Sequence, residues 1–178
     1  TVSPLGRFKK YATPDMMPVY RDDELLVIGL NTASRGSRRL RGFWKDGFAD
    51  PGHVERAAEL FCQAPAGVAK IAVTHHPFAP PDESHAGDTV GNADVVLPAL
   101  NSAGVELLLA GHLHLPYHVE QLGSAISLQA GTAISTRRRG RPNSYNWLAI
   151  DPLAIALEVR SFDGKGFKTI SDRRFTRV

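Results

Sequence analysis

Three short apolar runs organise the chain. Residues 25–30 (LLVIGL), 70–74 (KIAVT) and 105–110 (VELLLA) are too short and too continuously apolar for amphipathic helices, and each reads as a strand buried on both faces. Between the first two runs the period changes. Asp50 can cap a helix with Pro51 in its first position, and Val54, Ala57, Ala58 and Phe61 recur at i, i+3, i+4 and i+7 as one buried stripe ending before Pro65. A second helix is expected over 94–103, with Gly104 as its stop and Pro98 near its first turn. After Leu115 the helical period disappears. Residues 117–122, 125–130, 145–151 and 154–161 read as strands separated by turn residues, and Asp163-Gly164 marks a terminal hairpin.

The remaining segments are less regular. Residues 1–20 mix four Pro and Gly residues with Phe8, Tyr11 and Tyr20 and read as an ordered connector, while 32–49 and 79–92 read as loops. Strand and helix alternate to residue 115 and strands follow to the end, which predicts an α/β fold: a β-sandwich with helices over its outer faces. No internal repeat or domain-scale linker divides residues 1–178, so they form one domain or part of one.

Composition agrees. With 178 residues, 43% of them hydrophobic and 22% charged, the chain is long enough to bury roughly 70% of its unfolded surface without staples. The lone Cys62 cannot form an internal disulfide and reads as a small core residue. Twenty-one Lys and Arg against eighteen Asp and Glu give a net charge of +3, too small an excess to argue for nucleic acid by itself. Eight of those basic residues fall in two arginine runs, at 35–41 and 137–141. No apolar stretch approaches the roughly 18 residues of a membrane span, so a soluble, cytoplasmic protein with no membrane partner is expected. The chain opens at Thr1 with no initiator Met, which suggests sequence upstream.

The chemistry gathers at strand ends. In α/β sheets, ligands bind beyond the carboxyl ends of strands. Here those ends present Asn31, then His75 and His76, then His112 and His114. Imidazole is the commonest protein ligand for transition metals, and four of the chain's seven histidines fall in these two clusters. His112 and His114 project together if the backbone is extended and apart if it turns at Gly111. A zinc finger is excluded by the single cysteine and the long spacing.

These residues resemble the calcineurin-like metallophosphoesterases, bacterial members above all. Val73-Thr74-His75-His76-Pro77 is similar to that family's strand-end His-x-Pro segment, and Ala110-Gly111-His112-Leu113-His114 to its Gly-His-x-His segment. The segment 28–32 and the stretch 129–143 resemble the flanking regions of the same subgroup. The resemblance implies the family's α/β/β/α sandwich and a binuclear pair of divalent metals, Mn, Fe or Zn. His75 and His112 would hold one ion and His114 the other, with His76 outside the ligand set. It also implies phosphate-ester hydrolysis, by a phosphodiesterase or phosphatase, through a metal-bridging hydroxide.

The family's Asp-x-His, Gly-Asp and Gly-Asn-His motifs are absent from this chain. It therefore resembles the C-terminal portion of one such domain. Three imidazoles without a carboxylate cannot neutralise two divalent ions, so these 178 residues are expected to be inactive alone. The missing N-terminal half is the expected partner, and the sheet edge left open offers a route to a homo-oligomer.

Other residues carry weaker expectations. One arginine of the second run, Arg138, together with Asn143, could bind the substrate phosphate. The two runs with Phe43, Trp44 and Phe48 interleaved would also suit a nucleic-acid-binding module, and a catalytically dead interaction module is the other alternative. The loop bearing Asp82, Glu83, His85 and Asp88 reads as solvated, and His53 and His118 as structural.

Overall fold

A computed structural model describes residues 6–11, 13–33, 47–136 and 140–177. Its first sheet has six strands in the order β1-β2-β3-β4-β6-β5. These are β1 (Val19–Arg21), β2 (Leu25–Gly29), β3 (Ala69–Val73), β4 (Leu107–Ala110), β5 (Tyr117–Leu122) and β6 (Ala125–Gln129). The four central strands β2, β3, β4 and β6 run parallel, and the two edge strands are antiparallel to their neighbours. The second sheet is an antiparallel meander of β7 (Ser144–Ile150), β8 (Ala154–Phe162) and β9 (Phe167–Thr176).

Both faces of the first sheet are covered, which explains why β2, β3 and β4 are apolar at consecutive positions. On one face lie α2 (Pro51–Cys62) and α3 (Ala93–Ser102), whose Val54, Phe61, Val96 and Leu100 pack with Leu26, Ile28, Ala72 and Leu108 of the sheet. On the other face, Ile71, Leu107 and Leu128 meet Ile155, Leu157 and Phe175 of the second sheet. A short helix, α1 (Gly6–Tyr11), brings Phe8 to a small cavity beside Pro18, Gly29 and Val73. The outward face of the second sheet exposes Trp147, Phe162 and Phe167, with the Arg160 guanidinium 5.0 Å from the Trp147 ring centre.

Asp50 caps α2 as its sequence predicts, accepting the His53 N–H at 3.1 Å, with Pro51 in the first turn. Two expectations fail. Cys62 is exposed rather than in the core: it follows buried Phe61 by about 100° of helical turn, which carries it out of the stripe. Pro98 stands inside α3 rather than in its first turn. It forgoes the N–H that would reach the Asp94 carbonyl, and the burial of Val96 and Leu100 holds the helix regardless. In the 1–20 connector, α1 and the edge strand β1 were not foreseen.

The two sheets are tied together at the amino end of the parallel strands. Arg177, just after β9, donates to both Glu106 carboxylate oxygens at 2.6 and 2.9 Å, and to the Gly67 carbonyl at 3.1 Å. That leaves the carboxyl ends, at the opposite edge, to the histidines.

Candidate metal centre

The parallel ladder extends past each strand into the site. Thr74 N–H donates to the Leu109 carbonyl at 2.9 Å, Gly111 N–H to that of His75 at 3.2 Å, and Ala130 N–H to that of Ala110 at 2.9 Å. Adjacent strands are thereby in register as they end, so their terminal side chains meet.

His75 Nε2 lies 3.1 Å from His112 Nδ1. His76 completes the cluster: one ring nitrogen from each of the three histidines lies within 4.8 Å of the other two. The ring centroids are 4.4 to 5.0 Å apart. His75 is exposed, His112 half-buried and His76 buried, at 3% exposure. Partial desolvation of the ring within the cluster, and secondarily the charge of His114, lower the His75 pKa from its ordinary value, favouring the neutral ligating form. No carboxylate belongs to the cluster among the described residues.

The backbone turns rather than staying extended. His112 and His114 both have positive φ, 70° and 59°, and the Leu113 N–H donates to the Gly111 carbonyl at 2.9 Å. That bond closes a three-residue γ-turn centred on His112, a strained geometry for a residue with a β-carbon. Leu113, 1% exposed, anchors the turn in the interior and sends the two flanking imidazoles to different places. His114 lies outside the three-ring cluster, its Nδ1 2.6 Å from Thr132 Oγ1, three residues beyond β6.

Two threonines that the sequence does not single out hold these rings. Thr32 Oγ1 is 2.9 Å from His76 Nδ1 and accepts the His76 backbone N–H at 3.2 Å. Thr132 does the corresponding work for His114. Asn31 turns inward on its own loop, its Oδ1 accepting the Ala33 N–H at 2.9 Å. Asn143 Nδ2 donates to the Ser135 carbonyl at 3.1 Å. Arg138 lies outside the described residues, as do Arg35, Arg38, Arg39, Arg41, Phe43 and Trp44 of the other basic segment.

The acidic loop is tied to itself. Asp82 accepts from Ser84 N–H at 3.0 Å and lies 2.9 Å from His85 Nδ1. The Ser84 and His85 hydrogen bonds lower its pKa. Tyr117 donates its hydroxyl to the Ala79 carbonyl at 2.7 Å. Burial, then the Asp82 charge, push the phenol well above its usual range, so it remains a donor. His118 packs edge-on against Phe175, with ring centroids 5.9 Å apart.

Neither a protein-family model nor a curated protein matches the sequence. Solved structures do match. A dimetal phosphatase from Danio rerio superposes with a TM-score of 0.58 at 16% identity, over 76% of this chain and 41% of its own. GAP50, the anchor in the inner membrane complex of Plasmodium, superposes with a TM-score of 0.61 at 14% identity, over 91% of this chain and 53% of its own. The fold is of the metallophosphoesterase type. The chain spans about two fifths to one half of the length of these two structures.

Proposed function

We propose that the chain is the C-terminal portion of a metal-dependent phosphoester hydrolase. The observation that carries this reading is the 3.1 Å approach of His75 to His112, side chains from the ends of two neighbouring parallel strands. The fold it shares with a dimetal phosphatase supports the same class of chemistry.

The donors fit a transition-metal ion, because neutral imidazoles suit Mn, Fe and Zn alike. His75 and His112 would hold one divalent ion and His114 a second, with carboxylates supplied by residues outside this chain. Such ions, when bound, polarise phosphoryl oxygens and acidify coordinated water. This chain's own residues supply the rest. Thr132 fixes the His114 ring, Thr32 braces His76 beneath the cluster, and Tyr117 holds the 79–92 loop. Arg138 and Asn143 are the residues proposed to meet the substrate phosphate.

The test compares the 178-residue chain with a longer protein carrying its upstream coding sequence. Both are assayed on p-nitrophenyl phosphate and bis-p-nitrophenyl phosphate with Mn, Fe or Zn. The longer protein should turn over one of these esters, stop when chelator is added, and lose activity in His112→Ala, while the chain alone stays inactive. Turnover indifferent to chelator and to His112→Ala would overturn the reading. The all-imidazole cluster also favours a second reading, a catalytically silent interaction module, which predicts a folded longer protein with no metal-dependent turnover.

A further inference from the structure

His76 falls outside the ligand set that the resemblance implies, yet it sits in the cluster. We infer that His75, His76 and His112 form a three-imidazole site that holds a single borderline transition-metal dication, of the zinc or cobalt class, without any carboxylate. This goes beyond the proposed function, in which His114 and carboxylates from elsewhere complete a pair of ions.

Distance permits it. Ligand nitrogens around a tetrahedral zinc lie about 3.4 Å apart, given Zn–N bonds of about 2.0–2.1 Å. His75 and His112 are at 3.1 Å already, and the widest separation in the trio is 4.8 Å. The exposed His75 ring and the half-buried His112 ring would close that gap by side-chain rotation, because His76 is walled in. A β-carbon placed on Gly47 would lie 2.5 Å from its Cγ, so the ring rests on bare backbone.

Hydrogen bonding prepares His76 as a ligand. Thr32 Oγ1 accepts the His76 backbone N–H, and the same oxygen lies 2.9 Å from Nδ1. With the ring proton on Nδ1 and donated to that hydroxyl, Nε2 keeps the lone pair a metal needs. This is the outer-shell arrangement of most ligating histidines. Three imidazoles with one open position are an established zinc ligand set, and an all-nitrogen set favours zinc, cobalt, nickel or copper over magnesium or calcium. The strained γ-turn at His112 fits the same picture, since unfavourable backbone persists where the surroundings hold it in place.

The test is titration of the metal-free 178-residue chain with Co²⁺ and Zn²⁺, followed by visible absorption and calorimetry. One ion per chain should bind, with the intense d–d bands of four-coordinate cobalt. Affinity should fall by at least about tenfold in His75→Ala, His76→Asn and His112→Ala, and by a similar factor in Thr32→Val, the range for loss of an outer-shell partner. His114→Ala should stay within about twofold of the parent chain. Because His76→Asn could unfold the site, imidazole ¹⁵N spectra of the unaltered chain provide a second reading: the His76 nitrogen should shift on one equivalent of zinc. Loss of binding in His114→Ala with an unshifted His76 resonance would overturn the inference and leave the phosphoesterase reading standing. Absence of any bound ion in the folded chain would overturn it as well, while the longer protein's turnover decides the other reading separately.

Discussion

Gly47 lies against the His76 imidazole so closely that any β-carbon at 47 would penetrate the ring's van der Waals surface. The contact is fixed from both sides: Gly47 bridges to Val90, and its carbonyl accepts the Gly91 N–H at 2.6 Å. Gly47→Ala must therefore displace the ring or the bridge. Overpacking of this kind costs about 1–3 kcal/mol, readable as a lower urea midpoint with an unchanged slope. An unaltered midpoint would show that the wall yields.

The γ-turn at His112 separates what the residue does from what its backbone tolerates. Glycine adopts positive φ freely, whereas a side chain there costs about 1–2 kcal/mol. His112→Gly and His112→Ala remove the same imidazole, yet the glycine variant should unfold at the higher denaturant concentration, by about 0.5–1 kcal/mol after its larger unfolded-state entropy is counted. Equal stability of the two variants would mean that the φ of 70° is not sustained in solution.

Much of this layout is legible from local pattern, for reasons that individual residues make plain. β2, β3 and β4 stand out because burial on both faces leaves no polar alternation, and α2 because Asp50 and Pro51 start it and one stripe runs through it. Pro98 misleads, because its local penalty is outweighed by tertiary burial of Val96 and Leu100 that no window of sequence displays. The histidine-bearing strand ends are visible, but His76 is not distinguishable from a solvated neighbour of His75. Its character comes from Thr32, 44 residues away, and from Gly47. Thr132 is hidden in the same way, since only strand pairing brings it to His114.

At the opposite end of the sheets, Arg177 and Glu106 are 10% and 17% exposed and bond through two nitrogen–oxygen pairs. Arg177→Met strands a partly buried carboxylate and should cost about 1.5–3 kcal/mol, the range for charged hydrogen bonds. The double variant Arg177→Met, Glu106→Met should cost less than the two single changes together. Additive losses would show that the pair is not coupled.

Acid should loosen the second sheet. Asp151 has a lowered pKa, chiefly from the Leu153 N–H; Glu158 likewise, chiefly from Arg160; and Asp163 likewise, chiefly from Lys168. A carboxyl that titrates lower when folded contributes stability present above its unfolded value, near 4, and lost as pH falls through the folded one. The melting temperature should hold between pH 7 and 5 and fall below pH 4. Asp163→Asn should shallow that fall, because the turn that receives the Lys165 and Gly166 N–H groups then no longer titrates.

Cys62 provides a direct check on the packing of α2. An exposed thiol should react with Ellman's reagent in the native chain at one equivalent, at a rate that 6 M guanidinium raises little. Protection until unfolding would return the residue to the interior.

The Thr132–His114 contact has a mechanical origin some distance away. Tyr117 pairs with Gln129, and stepping three residues outward along the chain from each arrives at His114 and Thr132, so the two side chains face each other three positions beyond the last pair of that ladder. The phase of the ladder is set at its closed end, where Gln121 adopts a φ of 63° and the pairing slips between Val119 and Leu122. One residue added to or removed from that tip would shift the strands past each other and carry the imidazole away from its hydroxyl. A surface turn thus acts as a vernier for the position of His114.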